Sequence, residues 1–380
     1  MLCVYADTAA TTPISPAALK AMNEVYENFW ENPSGLYSSA RRAAGILESS
    51  RSELAGLLGC HADELFFTSG GTESDCLAVA GAVSATRRRR GGGMKAVVSA
   101  IEHRAVLAPF ERLAEEGVEV VVIPPDKDGI INEDVLASAV DDRTVLTAVM
   151  TANNEVGTIQ PIGHLAETAH KHGSLFFTDA VQAAGRMPLD FHALGVDLAA
   201  VSAHKFNGPR GIGALYVSRG TDIEPLIRGG GQERGLRSGT QNVAAARGMA
   251  CALSEAVAAL EESHLLREKR DILIQRLLNI PGARLNGCPV RRLDCNVNVS
   301  FEGIDSESLI LQLDLCGIYA SAGAACSSGS RKSSHVLTAM GLDAGGALRL
   351  TLPRTITREE LDYIAENVER IVATMRELPR

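Results

Sequence analysis

The sequence predicts an α/β fold wound around a mostly parallel or mixed sheet. Short runs rich in β-branched and aromatic residues alternate with longer stretches whose apolar residues recur at helical spacing. At 380 residues, of which 46% are hydrophobic, the chain can bury a large core as one large domain or two unequal ones. No internal repeat or low-complexity segment stands out. A globular protein is therefore expected.

The predicted elements of the first part of the chain alternate regularly. Helices are predicted over residues 41–59, 73–86 and 165–172. Strands are predicted over residues 65–68, 96–100, 118–123, 145–150, 175–178, 198–202 and 213–217. A long charged helix over residues 243–278 is predicted to lead to a second unit. In that unit the pattern indicates strands at 296–301 and 348–352 and a closing helix at 358–378.

The charge balance argues against a nucleic-acid-binding protein. The formal net charge is -9 and the isoelectric point is about 5.6. Residues 87–90 form the one basic run, which leads into three glycines at 91–93. We expect this run to be a solvated loop between a helix and a strand.

Cysteine usage and the N-terminal sequence indicate the compartment. The eight cysteines are too few and too scattered for a disulfide framework, and no C-x-x-C pair or zinc-type spacing is present, so no metal site is expected. The first residues lack a basic region followed by an apolar run, and no stretch is expected to span a membrane. A cytoplasmic protein in a reducing compartment is predicted.

Ligands of α/β folds gather where strands end and loops lead into helices. One such loop, Thr68-Ser-Gly-Gly-Thr72-Glu-Ser-Asp75, follows a predicted strand and opens a helix. The free N–H groups of the first helical turn and the Thr72 hydroxyl could cradle a phosphate. The same residues also make an ordinary capped helix start. The loop is neither a P-loop nor G-x-G-x-x-G, so a nucleotide is not indicated.

Two further strand ends carry an acid and a lysine. Asp179 ends an apolar strand, where it could cap a helix or pair with a protonated ring nitrogen. Lys205 lies between an apolar strand and a turn rich in Gly and Pro, where partial desolvation would lower its pKa toward that of a usable amine nucleophile. Together, the phosphate cradle, the acid and the lysine suggest pyridoxal 5′-phosphate.

A cysteine near the C-terminus lies among small residues. The segment Ser321-Ala-Gly-Ala-Ala-Cys326-Ser-Ser-Gly-Ser330 precedes Arg331 and Lys332. A cysteine in a Gly/Ser loop beside positive charge is expected to be exposed and biased toward the thiolate. By itself this pattern leaves an incidental surface thiol equally open.

The same segments carry a family resemblance over essentially the whole chain. They are Asp7-Thr-Ala-Ala-Thr-Thr-Pro13, Asn32-Pro-Ser34, the Thr68 to Asp75 loop, Glu102-His103, Asn153-Asn-Glu-Val-Gly157, Asp179-Ala-Val-Gln182, Ser202-Ala-His-Lys205, Gly229-Gly-Gly-Gln-Glu-Arg-Gly-Leu-Arg-Ser-Gly-Thr240 and the Cys326 loop. In this order they resemble the cysteine desulfurases of the iron–sulfur cluster assembly type, within the class V aminotransferases.

The resemblance implies a fold-type I PLP-dependent transferase. A large domain with a mostly parallel sheet flanked by helices would cover residues 15–255 and bind the cofactor. Residues 1–14 with 256–380 would form a smaller α+β domain carrying the mobile cysteine loop, at about 321–334. The implied activity converts L-cysteine to L-alanine and captures the sulfur as a persulfide on Cys326, for transfer to an acceptor such as an iron–sulfur scaffold protein.

The resemblance also assigns roles to individual residues. Lys205 would form the Schiff base and move the Cα proton, Asp179 would hold the pyridinium proton, and His103 would stack on the ring and take part in proton transfer. Gln182 and Asn154 would contact the phenolic edge of the ring. The phosphate would be bound by Thr72, Ser202 and His204, by the Gly71 and Ala203 backbone, and by Thr240 of a neighbouring subunit in a homodimer with shared active sites. Arg354 and Asn32 would bind the substrate, Arg354 through its carboxylate.

Other functions on the same fold stay open from the sequence. A selenocysteine lyase or an aminotransferase would share the cofactor site. A sulfur carrier or assembly scaffold could keep the fold without catalysis, but the presence of Lys205, His103, Asp179 and Cys326 argues against it. Two positions depart from the family pattern, Thr8 and Tyr37, and so does the segment after Cys326. These departures leave room for a specialised role such as tRNA thiolation or selenium metabolism.

Overall fold

The computed structural model describes residues 2–90, 92–323 and 334–377. Its strands are β1 Val4–Tyr5, β2 Leu65–Thr68, β3 Lys95–Ser99, β4 Glu119–Ile123, β5 Thr144–Ala148, β6 Leu175–Asp179, β7 Leu198–Ser202, β8 Gly213–Val217, β9 Ala283–Leu285, β10 Asn296–Phe301, β11 Ile318–Tyr319 and β12 Ala347–Thr351. Its α-helices are α1 Pro16–Asn28, α2 Ser38–Leu57, α3 Gly71–Arg90, α4 Arg104–Glu115, α5 Glu133–Ala139, α6 Ile162–His170, α7 Phe191–Leu194, α8 Val243–Ala258, α9 Ser263–Leu278, α10 Ser306–Leu315, α11 His335–Ala339 and α12 Arg358–Glu377. Short 3-10 helices cover Ala62–Glu64, Ala203–Lys205, Glu233–Gly235 and Ala259–Glu262.

A seven-stranded sheet forms the centre of the larger unit, in the order β2-β8-β7-β6-β5-β3-β4. The pairs from β7 to β4 are all parallel, whereas β8 runs antiparallel to both β7 and β2. Strands β2, β3, β5, β6 and β7 therefore point the same way, and their carboxyl ends meet at one edge. This confirms the predicted α/β class with a mostly parallel sheet.

Both faces of this sheet are buried, as the strand sequences require. Neighbouring residues of a strand point to opposite faces. Phe176 and Ala199 pack into one apolar cluster with α2 and α8, whereas Phe177 and Ala200 pack into a second cluster with α3 and α4. The near-continuous apolar runs of β6 and β7 follow from burial on both sides.

The C-terminal part of the chain builds its own sheet and core. Strands β12, β10 and β9 form an antiparallel sheet, and β1 pairs in parallel with β11. A separate apolar cluster joins Val4 and Ala6 to residues of α9, β10, β12 and α12. The N-terminal strand therefore packs with the C-terminal part of the chain rather than with the segment that follows it.

Two sequence predictions need correction. The predicted helix over 243–278 is divided into α8 and α9 by a 3-10 turn at Ala259–Glu262. The break falls where the chain passes from packing on α1 and α2 to packing beside β10 and α12. The basic run at 87–90 is the last turn of α3 rather than a loop, and three of its arginines pair with acids. The ion pairs are Arg87–Glu116, Arg88–Glu224 and Arg89–Asp222.

The segment from Val243 to Leu278 is the one stretch of the described residues long and apolar enough to cross a membrane. Of its most apolar 18 residues, 56% are buried inside the protein. Ten residues of α8 are buried, many of them alanines that let α1 and α2 approach closely. The apolar character is therefore that of a core helix.

Candidate active site

The carboxyl edge of the seven-stranded sheet gathers most of the predicted site residues. Gly71 and Thr72 begin α3 after β2, His103 precedes α4 after β3, and Asn154 follows β5. Asp179 is the last residue of β6, and Lys205 lies in the 3-10 turn that follows β7. Because these strands are parallel, side chains far apart in the sequence meet in one cleft.

The Lys205 amine faces the N-terminal segment. Its Nζ donates to the carbonyl oxygens of Ala9 at 2.6 Å and Ala10 at 2.8 Å. The backbone before Lys205 is held by Thr12, whose N–H and Oγ1 both donate to the His204 carbonyl, at 2.9 and 2.8 Å. The segment containing the Ala-Ala-Thr-Thr sequence thus positions the lysine.

The buried Asp179 and the half-buried His103 influence each other's charge. Asp179 is 5% exposed, and its Oδ1 accepts the Val181 N–H at 2.9 Å. Burial raises the Asp179 pKa, while His103 and Lys205 act in the opposite direction. Burial lowers the His103 pKa, which Asp179 opposes. His103 also caps α4, because its Nδ1 accepts the Ala105 N–H at 3.1 Å. His103 can therefore cap α4 through Nδ1 and still use its other ring atoms in the cleft.

Two more buried carboxyl groups lie near Asp179. Glu102 is 1% exposed, and its Oε1 accepts Ser99 Oγ at 2.5 Å and Met150 N–H at 2.7 Å. Burial raises the pKa of Glu102 to about 8, and burial with the charge of Asp179 raises that of Asp75. Asp75 Oδ1 and Glu102 Oε2 are buried without a hydrogen-bond partner. Sequence reasoning missed this cluster, although both acids lie in the quoted motifs.

The start of α3 is packed tightly against the ends of β7 and β8. A Cβ atom on Gly71 would lie 2.9 Å from Val181 Cγ2 and 3.5 Å from Ser202 Cβ. A Cβ atom on Gly213 would lie 2.6 Å from the Val201 oxygen and 2.8 Å from Gly70 Cα. Only glycine fits these positions, so the free N–H groups of α3 lie beside Ser202.

His204 lies at the same edge. Its Nδ1 is 3.1 Å from Thr11 Oγ1. Burial, together with the charges of Lys205, Arg210 and Arg186, lowers the pKa of His204 to about 4. The imidazole is therefore neutral at physiological pH and serves as a hydrogen-bonding group rather than a cation.

Gln182 is buried, and its side chain forms hydrogen bonds with Ala9 and Arg186. Its Nε2 donates to the Ala9 carbonyl at 3.0 Å, and its Oε1 accepts Arg186 Nη1 at 2.5 Å. Arg186 also reaches the carbonyls of Thr8 and Lys205. Thr8, one of the two departures from the family pattern, is buried and donates to the Thr351 carbonyl at 3.2 Å. The altered residue therefore ties the N-terminal segment to β12.

Two predicted residues lie on exposed loops. Asn32 lies between α1 and α2, where its Oδ1 accepts the Ser34 N–H at 2.9 Å. Thr240 is exposed just before α8. Neither loop is one of the strand-end loops that carry Asp179 and Lys205. Tyr37, the second departure, is 57% exposed before α2.

The two arginines of the segment Arg349-Leu-Thr-Leu-Pro-Arg354 have different surroundings. The Arg354 guanidinium donates to the carbonyls of Ala256, at 2.8 Å, and Gly185. Arg349 is 1% exposed, and its Nη1 donates to the Asn154 carbonyl at 3.1 Å. Its Nε is buried without a partner. Arg349 was missed because the sequence alone does not show which arginine points inward.

A cavity of about 680 Å³ adjoins Lys205 from the side of the N-terminal segment. Its lining includes Lys205, Arg186 and Arg354, together with Thr8 and Cys295. Asp179 and His103 are not part of the lining, so the cavity extends away from the strand-end acid. Cys326, Arg331 and Lys332 lie outside the described residues.

One group of side chains in the described part of the chain has the composition of a metal site. His61, Glu64 and His192 place their ligand atoms within 4.8 Å of one another. Glu64 already accepts the His61 N–H at 2.8 Å, the Arg219 N–H at 3.0 Å and lies 2.6 Å from His192 Nε2. Internal hydrogen bonds therefore account for the group.

Comparison with known proteins identifies the family of this chain. Residues 4–364 match the family model described as aminotransferase class-V. The chain is 44% identical over 379 residues to cysteine desulfurase IscS of Methanosarcina thermophila, covering 99% of this chain and 93% of that protein. A solved structure of a NifS-like protein superposes with a TM-score of 0.91 at 37% identity, covering 98% of this chain and 100% of the other.

A second solved structure, described as SspA in complex with cysteine, superposes with a TM-score of 0.80 at 31% identity. It covers 92% of this chain and 99% of that one. Both superpositions cover nearly the whole of this chain rather than one motif. By its sequence and its fold, this chain belongs to the class V aminotransferase family and, within it, to the cysteine desulfurases.

Proposed function

We propose that this protein is a pyridoxal-phosphate-dependent cysteine desulfurase that converts L-cysteine to L-alanine and holds the sulfur as a persulfide on Cys326. The observation that carries the proposal is the meeting of Lys205, Asp179 and the start of α3 at one sheet edge. Relatives along the full length of the chain bear the same activity in their names. The sulfur would pass to an acceptor protein for iron–sulfur cluster or other sulfur-cofactor biosynthesis.

The residues present fit a phosphorylated pyridine aldehyde. The Asp179 pKa is raised by burial even with His103 and Lys205 nearby, so a closer cation would stabilise its ionised form. A protonated ring nitrogen would supply that cation. The glycine-packed start of α3 offers N–H groups for a phosphate, beside the hydroxyls of Thr72 and Ser202. The Lys205 amine lies in the next strand-end turn along the edge.

When bound, the cofactor would withdraw electrons from the substrate's Cα and so weaken its bond to the proton. Lys205 Nζ would anchor the cofactor and then carry that proton, held in place by Ala9 and Ala10. Asp179 would keep the ring nitrogen protonated. His103, whose Nδ1 is used in the α4 cap, would present its remaining ring atoms to the cleft. Asn154 and Gln182 would border the phenolic edge.

Arg349 is better placed than Arg354 to bind the substrate carboxylate. The guanidinium of Arg354 is occupied by two backbone carbonyls, and Arg354 lines the cavity that adjoins Lys205. Arg349 also has two partners, the Asn154 carbonyl and the Asp7 carboxylate, but its buried Nε has none. A guanidinium with unmet donors favours a carboxylate strongly in a buried site. We therefore propose Arg349 as the clamp, with Arg354 as the alternative.

The sulfur step needs a thiolate and balances without an added oxidant. The Cys326 sulfur would attack the sulfur of the bound cysteine, forming an S–S bond as the substrate's C–S bond breaks. The electron pair of the C–S bond stays with the carbon fragment, which takes up protons and leaves as alanine. The enzyme keeps a persulfide.

We propose that the active protein is a homodimer with shared active sites. Asn32 and Thr240 lie on exposed loops, where they would serve the cleft of a neighbouring subunit. Large apolar side chains are exposed near both loops: Trp30, Leu36 and Tyr37 beside Asn32, and Leu226 and Ile227 before Thr240. Exposed apolar groups of this size favour a protein interface.

The separate apolar cluster around β10 and β12 supports a division into residues 15–255 and residues 1–14 with 256–380. The cysteine segment would then belong to the smaller unit. The acidic net charge and free cysteines fit a reducing, cytoplasmic setting, which we propose for this protein.

The proposal is tested with purified protein and L-cysteine. Wild-type protein should show the visible absorption of the bound cofactor, form alanine, and gain the mass of one sulfur on the peptide containing Cys326. Lys205→Ala should lose the absorption band, whereas Lys20→Ala, at an exposed position of α1, should keep it. A colourless wild-type protein that takes up no cofactor would contradict the proposal.

The alternatives on the same fold give different results. Cys326→Ala should abolish persulfide formation, whereas Cys3→Ala, at an exposed cysteine, should not. Sulfur release that survives Cys326→Ala would contradict the assigned nucleophile. Amino-group transfer to a keto acid without sulfur release would indicate an aminotransferase, and turnover of selenocysteine in strong preference to cysteine would indicate a selenocysteine lyase.

A further inference from the structure

Glu155 is a buried acid that follows the cleft residue Asn154 and that the mechanism above does not use. It is 1% exposed. Its N–H donates to Asn153 Oδ1 at 2.8 Å, and its carbonyl accepts the side-chain amides of Asn296 and Asn298, each at 3.0 Å. The backbone of Glu155 is therefore fixed from the β5 side and from β10 at once.

The Glu155 carboxylate touches the chain on both sides of residues 324–333. Ser334 Oγ donates to Glu155 Oε2 at 2.5 Å. A Cβ atom on Gly323 would lie 3.0 Å from the same oxygen and 3.7 Å from Ser334 Cβ. One carboxylate oxygen thus lies between the last described residue before this segment and the first one after it.

Both flanks are also tied to residues of the candidate active site. On the entry side, Ser321 exchanges backbone hydrogen bonds of 3.2 and 2.6 Å with Arg349. On the exit side, His335 Nε2 lies 3.0 Å from the carbonyl oxygen of Glu102, the neighbour of His103. The following helix, α11, packs with Ile101 and Val156 in a small apolar cluster.

We propose that Glu155 is a positioning residue for Cys326: its carboxylate holds the two ends of the segment that carries this cysteine against the loop that carries Asn154. The inference rests on the proposed function, in which Cys326 is the nucleophile. Its evidence is the contacts of Glu155 with Gly323 and Ser334. A small error in the placement of a nucleophile costs a large factor in rate, so such an anchor has a direct kinetic effect.

The chemistry of the contact explains why these residue types are needed. A buried carboxylate requires donors, and Ser334 Oγ supplies one with a short hydrogen bond. Gly323 supplies the space, because any side chain there would press on the carboxylate. Glu155→Gln keeps the shape but removes the charge, Ser334→Ala removes the donor, and Gly323→Ala crowds the contact.

The first experiment needs no cofactor. Protein freed of cofactor is treated with iodoacetamide, and the alkylation rate of each cysteine is followed by peptide mass spectrometry. Glu155→Gln and Ser334→Ala should each speed the labelling of Cys326 by about threefold or more, since each weakens the hydrogen bond between Glu155 and Ser334. Labelling of the exposed Cys3 serves as the internal reference, and Glu167→Gln, at an exposed acid of α6, is the matched control.

A double variant separates this role from a general loss of stability. Ser334 Oγ also caps α11 by accepting the Leu337 N–H, so Ser334→Ala alone could act through the helix. If the two side chains act through their shared hydrogen bond, Glu155→Gln with Ser334→Ala should label Cys326 no faster than Ser334→Ala alone. Ser334→Thr, which keeps the hydroxyl, should restore the wild-type rate. Effects that add in full would overturn the proposal.

The second experiment uses the loaded enzyme. Glu155→Gln should lower kcat for persulfide formation about tenfold while the KM for cysteine changes less than about twofold and the cofactor spectrum is kept. A wild-type protein that forms no persulfide would overturn the proposed function. An unchanged labelling rate of Cys326 in Glu155→Gln would overturn the positioning role, whatever the activity of the wild type.

Discussion

Arg349 Nη2 lies 2.6 Å from Asp7 Oδ1, which joins β12 to the segment that begins with Asp7. The arginine side chain is 1% exposed and the aspartate side chain 15%. Residues from opposite ends of the chain therefore meet beside the Asn154 carbonyl, in a place with little access for water. This pairing orients the guanidinium that we propose as the carboxylate clamp.

Arg349→Lys should raise the KM for cysteine by about tenfold or more, because lysine keeps the charge but loses the planar fork that matches a carboxylate. Arg354→Gln should change it by less than about threefold, because that guanidinium binds backbone carbonyls. Steady-state kinetics would measure both, with thermal unfolding as the check on folding. A larger KM effect at Arg354 would favour the original prediction from the sequence.

Glu102 should make stability fall as pH rises. Its folded pKa of about 8 lies above the unfolded value of 4.5, so the folded protein holds a proton that the unfolded chain releases between these limits. The free energy of unfolding should therefore decrease across this window, by at most about 1.4 kcal/mol per pH unit. Glu102→Gln should flatten the pH dependence of the free energy of unfolding relative to wild type. Urea unfolding of cofactor-free protein between about pH 5 and pH 8 would measure it. An equal slope in the variant would contradict the assignment.

The ion pair between Arg51 and Glu233 should be costly to break from one side. Arg51 Nη1 lies 2.6 Å from Glu233 Oε2, and the side chains are 3% and 1% exposed. Glu233 also accepts the Phe67 N–H at 2.8 Å, so it ties the glycine-rich segment to β2. Arg51→Met should lower the free energy of unfolding by about 3–5 kcal/mol, because it leaves a buried carboxylate unpaired.

The double variant Arg51→Met with Glu233→Gln provides the control. It removes both charges, so it should recover part of the stability lost in Arg51→Met, as measured by denaturant unfolding. If the segment 229–240 contributes to a dimer, Arg51→Met should also weaken the dimer in analytical ultracentrifugation. Full additivity of the two substitutions would argue against a coupled pair.

Glycine substitutions should separate the packed cleft from an open helix face. Gly213→Ala would place a Cβ atom 2.6 Å from the Val201 oxygen, so it should destabilise the protein by about 1–3 kcal/mol and weaken cofactor binding. Gly45, exposed on α2, has no atom within 4 Å of an added Cβ. Gly45→Ala should therefore stabilise by about 0.5–1 kcal/mol in thermal or urea unfolding. Equal effects at the two positions would contradict the packing argument.

The strands were the most predictable part of the fold. Strands β2, β7, β8 and β10 begin and end at the predicted residues, and the other predicted strands differ by one or two residues at an end. Buried strands in a parallel sheet are apolar on both faces, so their sequences stand out. Strands β1, β9 and β11 were missed because they are two or three residues long and have no such run.

Helix ends and side-chain partners were less predictable. The basic run at 87–90 carries no apolar pattern, and the acids that pair with Arg87, Arg88 and Arg89 come from other parts of the chain. The break between α8 and α9 depends on which parts of the protein each helix packs against. Both features arise from contacts between segments that are distant in the sequence.

Local patterns and ordered motifs are enough to establish the α/β class, the strand-end positions of Asp179 and Lys205, and the family. The folded chain is needed to show which arginine is buried beside Asn154 and which acid lies between Gly323 and Ser334. Those choices depend on the directions of side chains brought together by the crossing of chain segments. A local sequence pattern does not predict these directions.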